Sequence, residues 1–414
     1  MNAAPARRTT PTQGTRPPRI GLVVNPVAGL GGRVGLGGTD GPDRPRLALS
    51  LGAHPQAGTR AAAALSELAL RLDELAGAGR PRRGAGSGSG SGSGSRVLVV
   101  TADGSLGADA VASAGLPTRV VYAAGHGRDT SAADTAAAVS AVVAEGVELL
   151  LFAGGDGTAR DVLAALGDAP CPVLGVPTGV KMHSAVFAVS PRAAGEVAAA
   201  WLARKGAVRL RDAEVMDRDE DTLDEGRVTS RLFGWLPVPD LPVRVQQRKT
   251  GSTATAPEAV GGIAADVAER VGEGLLVLGP GSTTRAVAAA LGADVSLTGV
   301  DVLRLHPARP PRVVARDATE DTLLGVGPAW IALSPIGGQG FLLGRGNQQI
   351  SPRVLRAAGG RDCLLVVCGE QKLAALAGRP LLLDTGDDAL DAELAGHLPV
   401  ITGRRRTSLY RLAT

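Results

Sequence analysis

The sequence predicts an α/β protein: a parallel Rossmann-like sheet domain followed by a second domain that closes an interdomain cleft. Three observations predict it. Short apolar runs rich in β-branched residues recur between residues 20 and 176 and alternate with helix-forming stretches, the pattern of βαβ units. Leu149 to Ala153 is apolar throughout and too short for a helix, which suits a central parallel strand buried on both faces. The same order of strand, glycine turn and helix returns at Gly274 to Leu291, past a helical stretch at Pro191 to Arg204, so a second unit follows the first.

With 414 residues the chain can bury a large core and divide into two or three domains. Hydrophobic residues make up 44% and charged residues 20%, a globular balance. Aromatics are only 2%, which argues against base-stacking nucleic-acid binding and against a membrane-interface belt, so neither partner is expected. The formal charge of +4 attracts small anions weakly at long range. Cys171, Cys363 and Cys368 lack zinc spacing, and their odd number does not suggest a disulfide framework; a reducing cytoplasm fits. Residues 1–19 are rich in proline and arginine without an apolar core, and read as a disordered tail rather than a secretory signal.

Ile20 to Val24 is the first strand, followed by a glycine-rich turn carrying Asn25, Gly29 and Gly31. The turn lacks the lysine of a Walker loop and the third glycine of a dinucleotide fingerprint. Asn25 either sets its amide beside a phosphate or closes an ordinary turn. Gly35 to Gly58 reads as irregular, and Thr59 to Leu75 as a helix whose apolar face holds Leu65, Leu68, Leu72 and Leu75. Residues 84–95 alternate glycine and serine, a flexible linker to which no chemistry is assigned. Arg96 to Thr101 and Arg119 to Ala123 supply further strands, and Ser131 to Glu145 an alanine-rich helix.

The chain is organised around the turn that follows Ala153. Gly154, Gly155 and Gly157 clear the space around Asp156, leaving its carboxylate exposed at the strand's carboxyl end. Thr158 is placed to cap the next helix, whose first amides and partial positive charge suit an anion. A carboxylate inside an anion site repels phosphate unless it holds a metal ion or accepts a proton from the attacking hydroxyl, and that points to phosphoryl transfer. The plainer alternative is a tight turn in which Asp156 caps backbone amides.

The strand Pro172 to Val176 runs into a loop with Lys181, His183 and Ser184. Lys181 is one of four lysines and could pair with a phosphate as a point charge, whereas His183 reads as a hydrogen-bonded loop histidine. Residues 20–190 form the first domain in this reading and residues 205–414 the second, with short irregular apolar segments from Val208. Ser282 and Thr283 open a helix and either bind an anion through hydroxyls and amides together or form a plain capping turn. The polar, glycine-rich stretch Ile331 to Pro352 reads as a binding loop, with an ordered surface loop as the alternative; its part Gly337 to Pro352 is placed in the cleft, with Gln339, Arg345, Asn347 and Gln348 as donors and acceptors for the phosphoryl acceptor. The chain closes with apolar LLVV, a helix, PLLLD, another helix and PVIT.

GGDGT at 154–158, with NPVAG at 25–29, resembles the NAD kinase and diacylglycerol kinase superfamily. GVPTGVKMHS, GPGSTT and GGQGFLLGRGNQQISP resemble its branch of predicted ATP-NAD kinases, which includes acetoin-catabolism X-type proteins. The resemblance implies that Asp156 accepts the proton of the hydroxyl receiving the phosphoryl group. It further implies that Asn25 and the neighbouring glycines lie near the nucleotide phosphates. The implied reaction passes a phosphoryl group from ATP or polyphosphate to the 2′-hydroxyl of NAD, with Mg²⁺ required and NAD and ATP as the small-molecule partners. One departure stands out: well-studied NAD kinases carry an asparagine-acid pair that grips the dinucleotide, and no Asn-Glu or Asn-Asp dipeptide occurs here. A lipid or small-alcohol kinase and a non-catalytic NAD or ATP sensor are the alternative readings, and homo-oligomerisation is compatible with the sequence.

Overall fold

The computed structural model describes residues 17–36, 43–78, 97–125, 130–180, 182–203, 208–218, 230–241, 244–246, 256–336 and 339–414. Lys181, the glycine-serine linker at 84–95 and residues 1–16 of the expected tail lie outside the described residues.

The first unit alternates strands and helices: β1 (Arg19–Val24), α1 (Asp43–Ser50), α2 (Ala57–Ala78), β2 (Leu98–Ala102), α3 (Ala108–Ser113), β3 (Thr118–Tyr122), α4 (Ala132–Ala144), β4 (Leu150–Gly154), α5 (Asp156–Leu166) and β5 (Val173–Pro177). The five strands are all parallel, in the order β3-β2-β1-β4-β5. Strand β4 is buried at every position, as an unbroken apolar run between two helical layers requires. From β1 the chain moves outward to β2 and β3, then returns through α4 to lay β4 on the other side of β1. That reversal opens a crevice at the carboxyl ends of β1 and β4, the place where doubly wound sheets bind ligands. Asn25 and Asp156 flank it. Helix α1 falls in the stretch read as irregular; with eight residues and only Ala48 buried, it carries too little periodicity to show in the sequence.

Two further elements join this unit: α6 (Pro191–Ala203) and the antiparallel hairpin of β6 (Arg209–Arg218) and β7 (Ser230–Asp240). The sequence reading of short irregular segments from Val208 is corrected here. Prolines at 237 and 239 mask the alternation, but a two-stranded ribbon pairs only one edge of each strand and tolerates them. Although these residues were expected in the second domain, Ala213, Val215, Leu236 and Val238 pack into the core of the first sheet.

The second unit contains α7 (Pro257–Val271), β8 (Gly274–Leu278), α8 (Ser282–Leu291), β9 (Asp301–His306), β10 (Arg309–Ala315), α9 (Glu320–Val326), β11 (Trp330–Leu333) and β12 (Phe341–Leu343). It continues through α10 (Pro352–Ala358), β13 (Leu364–Val367), α11 (Glu370–Ala374), β14 (Leu381–Leu383), α12 (Asp388–Leu394), β15 (Gly396–Gly403) and β16 (Arg406–Ala413). Its mixed sheet runs β10-β9-β8-β11-β13-β15-β16-β14-β12, with β8, β11, β13 and β15 mutually parallel. Phe341 and Leu382 belong to the core of the first unit, and Ile336 packs against it, so an apolar contact holds the two units together. Burial pushes the thiols of Cys171, Cys363 and Cys368 up to about 11, which keeps them protonated and unreactive. Among the described residues no helix is long and apolar enough to cross a membrane.

Candidate functional site

Two loops meet at the carboxyl ends of β1 and β4. The Asn25 amide N–H donates to the Ala153 carbonyl at 2.9 Å, and Asn25 Nδ2 donates to Thr158 Oγ1 at 3.0 Å, which ties the turn after β1 to the first turn of α5. Asn25 Oδ1 accepts from the Val27 amide, so both ends of the side chain brace the turn. Thr158 is not the helix cap expected from its type. Gly155 occupies that position in extended backbone, α5 already begins at Asp156, and the Thr158 hydroxyl serves as the anchor for Asn25.

Asp156 is buried rather than exposed, with 6% of its surface accessible. The reason lies in the loop after β5. The His183 amide donates to Oδ2 at 2.7 Å, the Ser184 amide to Oδ1 at 3.0 Å, and the His183 ring Nδ1 lies 3.2 Å from Oδ2. Capping of amides, the plainer alternative, is thus part of the geometry, together with a histidine contact that the sequence did not assign. The charge also sits at the start of α5, where unpaired amides and the helix dipole favour an anion.

Gly154 and Gly155 carry this turn against the next strand: the Thr178 and Gly179 amides both donate to the Gly154 carbonyl. Gly157 lies in the first turn of α5 and Gly31 in the buried turn after β1. Gly29 has φ +81°, and a Cβ there would stand 2.0 Å from the Thr178 carbonyl oxygen, so glycine is required for the close approach of two loops. The glycine turn after β1 is therefore fitted to protein backbone at this point.

Across the cleft, the segment after β12 closes over the same loops. The Gly346 amide donates to the Val180 carbonyl at 2.7 Å, and Gln348 Nε2 donates to the Gly179 and Val180 carbonyls. Gln339 Nε2 donates to the Met182 carbonyl, one residue from His183. Arg345 is buried against Val189 and Gly344 carbonyls, stacks 4.6 Å over the Phe341 ring and pairs with Asp384. Asn347 differs: its Oδ1 accepts from the Gly344 amide and its Nδ2 donates to the Leu342 carbonyl, so its amide is spent within its own loop. Between the units lies a narrow recess lined by Gly29, Arg33, Arg60 and Thr178 on one side and Arg345, Gln348 and Asp384 on the other.

Residues 20–206 match the ATP-NAD kinase N-terminal domain, and residues 271–412 match the ATP-NAD kinase C-terminal domain. The chain belongs to the ATP-NAD kinase family. It is accordingly an NAD kinase-like phosphotransferase. No curated protein and no solved structure matches it.

In this ATP-NAD kinase family member Ser282 and Thr283 open α8 at the carboxyl end of β8, within the second sheet. The buried Lys372 donates to Thr283 Oγ1 at 3.4 Å and to Ser334 Oγ at 3.0 Å, so these hydroxyls gather around a lysine from α11. Their hydrogen bonds form a cluster separate from the one that holds Asp156. Arg33, Arg60, Thr178 and Asp384 were missed by sequence reasoning. Asp384 left a signal: it follows the apolar LLL of β14 as Asp156 follows β4 and its glycines, an acid at the end of a buried strand. Arg60 left little, being one charge on an alanine-rich helix.

The two buried carboxylates at the cleft are both engaged, Asp156 by N–H donors and Asp384 by two guanidinium groups. Among the described residues no group of three His, Cys, Asp or Glu side chains is disposed to hold a metal. The donor set therefore does not fit a cage built by the protein.

Proposed function

We propose that this protein transfers a phosphoryl group from ATP or polyphosphate to the 2′-hydroxyl of NAD, giving NADP. The observation that carries this reading is the seat of Asp156. A carboxylate offers about four lone-pair directions. Three are taken by the His183 amide, the His183 ring and the Ser184 amide, which leaves one on Oδ1. A hydroxyl bound there gives up its proton to Asp156 as its oxygen bonds to the transferred phosphorus and the P–O bond to the departing ADP, or to the shortened polyphosphate, breaks in a loose transition state. The fixed donors hold the carboxylate at one angle, so little reorganisation is needed when the proton moves.

The first turn of α5 supports the same reading, since its amides and dipole face the anionic group in transfer. A divalent cation bound with the donor would neutralise charge on the phosphates; the side chains described here bind, orient and accept the proton. In this reading the first unit, with α6 and the β6–β7 hairpin packed on it, forms the catalytic lobe, and the second unit from Pro257 onward the closing lobe. Gln339 faces the acceptor from the second lobe, held against the Met182 carbonyl.

The test is direct. Incubating the full chain with Mg²⁺, NAD and either ATP or polyphosphate should yield NADP, read by enzymatic cycling. NAD binding without product from either donor would instead support a sensor, and phosphorylation of a lipid or small alcohol without NAD would move the acceptor assignment to that class.

A further inference from the structure

The recess between the units carries an arrangement that proton transfer at Asp156 does not use. Arg60 comes from α2 and Arg345 from the loop after β12, and both guanidinium groups converge on a single oxygen, Oδ2 of Asp384. Arg33 lines the same recess and stands 4.0 Å from Glu320, at the limit of pairing. Cationic side chains thus outnumber carboxylates on the recess wall, and burying such an excess is costly unless an anion completes it.

Among the described residues, three buried polar atoms on this wall find no hydrogen-bond partner: Thr178 Oγ1, Arg345 Nε and Gln348 Oε1. Thr178 and Arg345 are 8% and 4% exposed, so water is a poor substitute for a partner. Two of the three atoms donate, one as a hydroxyl and one as a guanidinium N–H. Donors of that kind, beside a forked cation, match phosphate oxygens. Among the described residues the recess offers Leu30 and Ala53 as its apolar side chains and no Phe, Tyr or Trp; its only ring is the His54 imidazole, so most of its wall is polar or cationic. Thr178 and Gly179 form the wall shared with the Asp156 turn, because their amides both donate to the Gly154 carbonyl.

We propose that this recess is an oligophosphate-binding site, in which the phosphate chain of the donor takes the place of the Asp384 carboxylate between Arg60 and Arg345. The proposal rests on the phosphotransferase reading above and extends it. Arg345 and Gln348, expected from the sequence to touch the acceptor, are assigned to the donor. Asp384 acts as an internal stand-in: it keeps the arginines paired until a stronger, multivalent anion arrives. The site reads phosphate, so the tail of ATP and an inorganic polyphosphate share the chemistry it recognises.

The experiment titrates the full chain with inorganic tripolyphosphate, ATP and adenosine by calorimetry, for the natural protein, Arg33→Ala, Arg60→Gln and Asp384→Asn. Arg33 is half exposed, so Arg33→Ala retains the fold even where Arg60→Gln does not. Each arginine variant should weaken tripolyphosphate about tenfold, the worth of one charge-assisted hydrogen bond. Asp384→Asn should tighten it, NAD affinity should stay constant, and adenosine should bind no differently in any variant. Parallel losses for ATP and tripolyphosphate assign the site to the tail of either donor, and a loss for tripolyphosphate alone assigns it to the inorganic chain. Unchanged tripolyphosphate affinity in Arg33→Ala and in folded Arg60→Gln overturns the proposal. Arginine-dependent tripolyphosphate binding without NADP formation would leave the site standing and remove the acceptor assignment. NADP formation with an unchanged donor KM in both variants would do the reverse.

Discussion

Asp156 Oδ2 accepts two hydrogen bonds from one residue, the His183 amide at 2.7 Å and the His183 ring Nδ1 at 3.2 Å. Backbone and side chain of a single loop residue thereby fix one face of the carboxylate, and the Ser184 amide fixes the other oxygen. With Nδ1 donating, the ring is held in one tautomer and one orientation. Aspartate and histidine form a unit whose members should not be separable in their effects.

Asp156→Asn keeps the volume but removes the charge and sets an amide NH₂ against one of the N–H donors. Turnover should fall by about 10²- to 10⁴-fold, the usual worth of a positioned base, while the KM values for NAD and donor change little. Steady-state kinetics of NADP formation decides it. Full turnover would remove Asp156 from the chemistry.

For His183 the informative experiment is a double-mutant cycle. His183→Ala loses the ring contact but keeps the backbone amide, so it should lower kcat by less than Asp156→Asn does. Combined with Asp156→Asn it should add little, because the ring has lost the charge it orients. Additive losses would mean that His183 acts through another group.

Gly344 and Gly378 make a matched pair. Their φ values are +88° and +78°, but a Cβ at Gly344 would stand 1.8 Å from the Asp384 carbonyl oxygen, whereas at Gly378 nothing lies within 4 Å. Gly378→Ala should cost about 1–2 kcal/mol, the conformational penalty alone. Gly344→Ala should cost clearly more in urea denaturation, because the added Cβ must push the Asp384 backbone away. Equal costs would mean that the two loops separate easily.

The parts of this fold that show in the sequence are those in which neighbouring residues decide the outcome. Strand β4, its glycine turn and α5 are legible because an unbroken apolar run, three glycines and an apolar-periodic stretch follow one another. The burial of Asp156 is not, because its partners lie 27 and 28 residues further on and become donors only when the loop after β5 folds back. Still less legible is the pairing of Arg60 with Asp384, which are 324 residues apart and on different units. Helix α1 and the β6–β7 hairpin were missed because short length and prolines hide their period, and tertiary packing supplies what periodicity does not.

Asn347→Ala tests whether the loop after β12 is shaped or ligand-reading at that position. Both ends of the amide are bonded within the loop, to Gly344 and Leu342, so the substitution leaves a buried N–H and a buried carbonyl unmet. The loss should be about 1–3 kcal/mol per group in thermal or urea unfolding, with similar changes in the KM values of NAD and donor. A rise confined to the KM for NAD, at unchanged stability, would place Asn347 on the acceptor.

Asp391 supplies a pH test of the region behind the recess. Burial, aided by the charges of Asp384 and Asp388, pushes its carboxyl from the ordinary 3.8 up to about 6, against the opposing hydrogen bonds from Thr385. In the folded state the charged form is disfavoured, so the folded protein holds this proton to higher pH than the unfolded chain. The resulting stabilisation is complete below the unfolded pKa and is lost as pH rises through about 6. Between pH 5 and pH 7 the loss should be about 1.4 kcal/mol, one pKa unit's worth. Asp391→Asn keeps an acceptor for Thr385 and cannot ionise, so relative to the natural protein it should gain that amount between the two pH values. Urea denaturation of both proteins at pH 5 and pH 7 measures it, and a difference that does not change with pH would show that Asp391 is charged throughout.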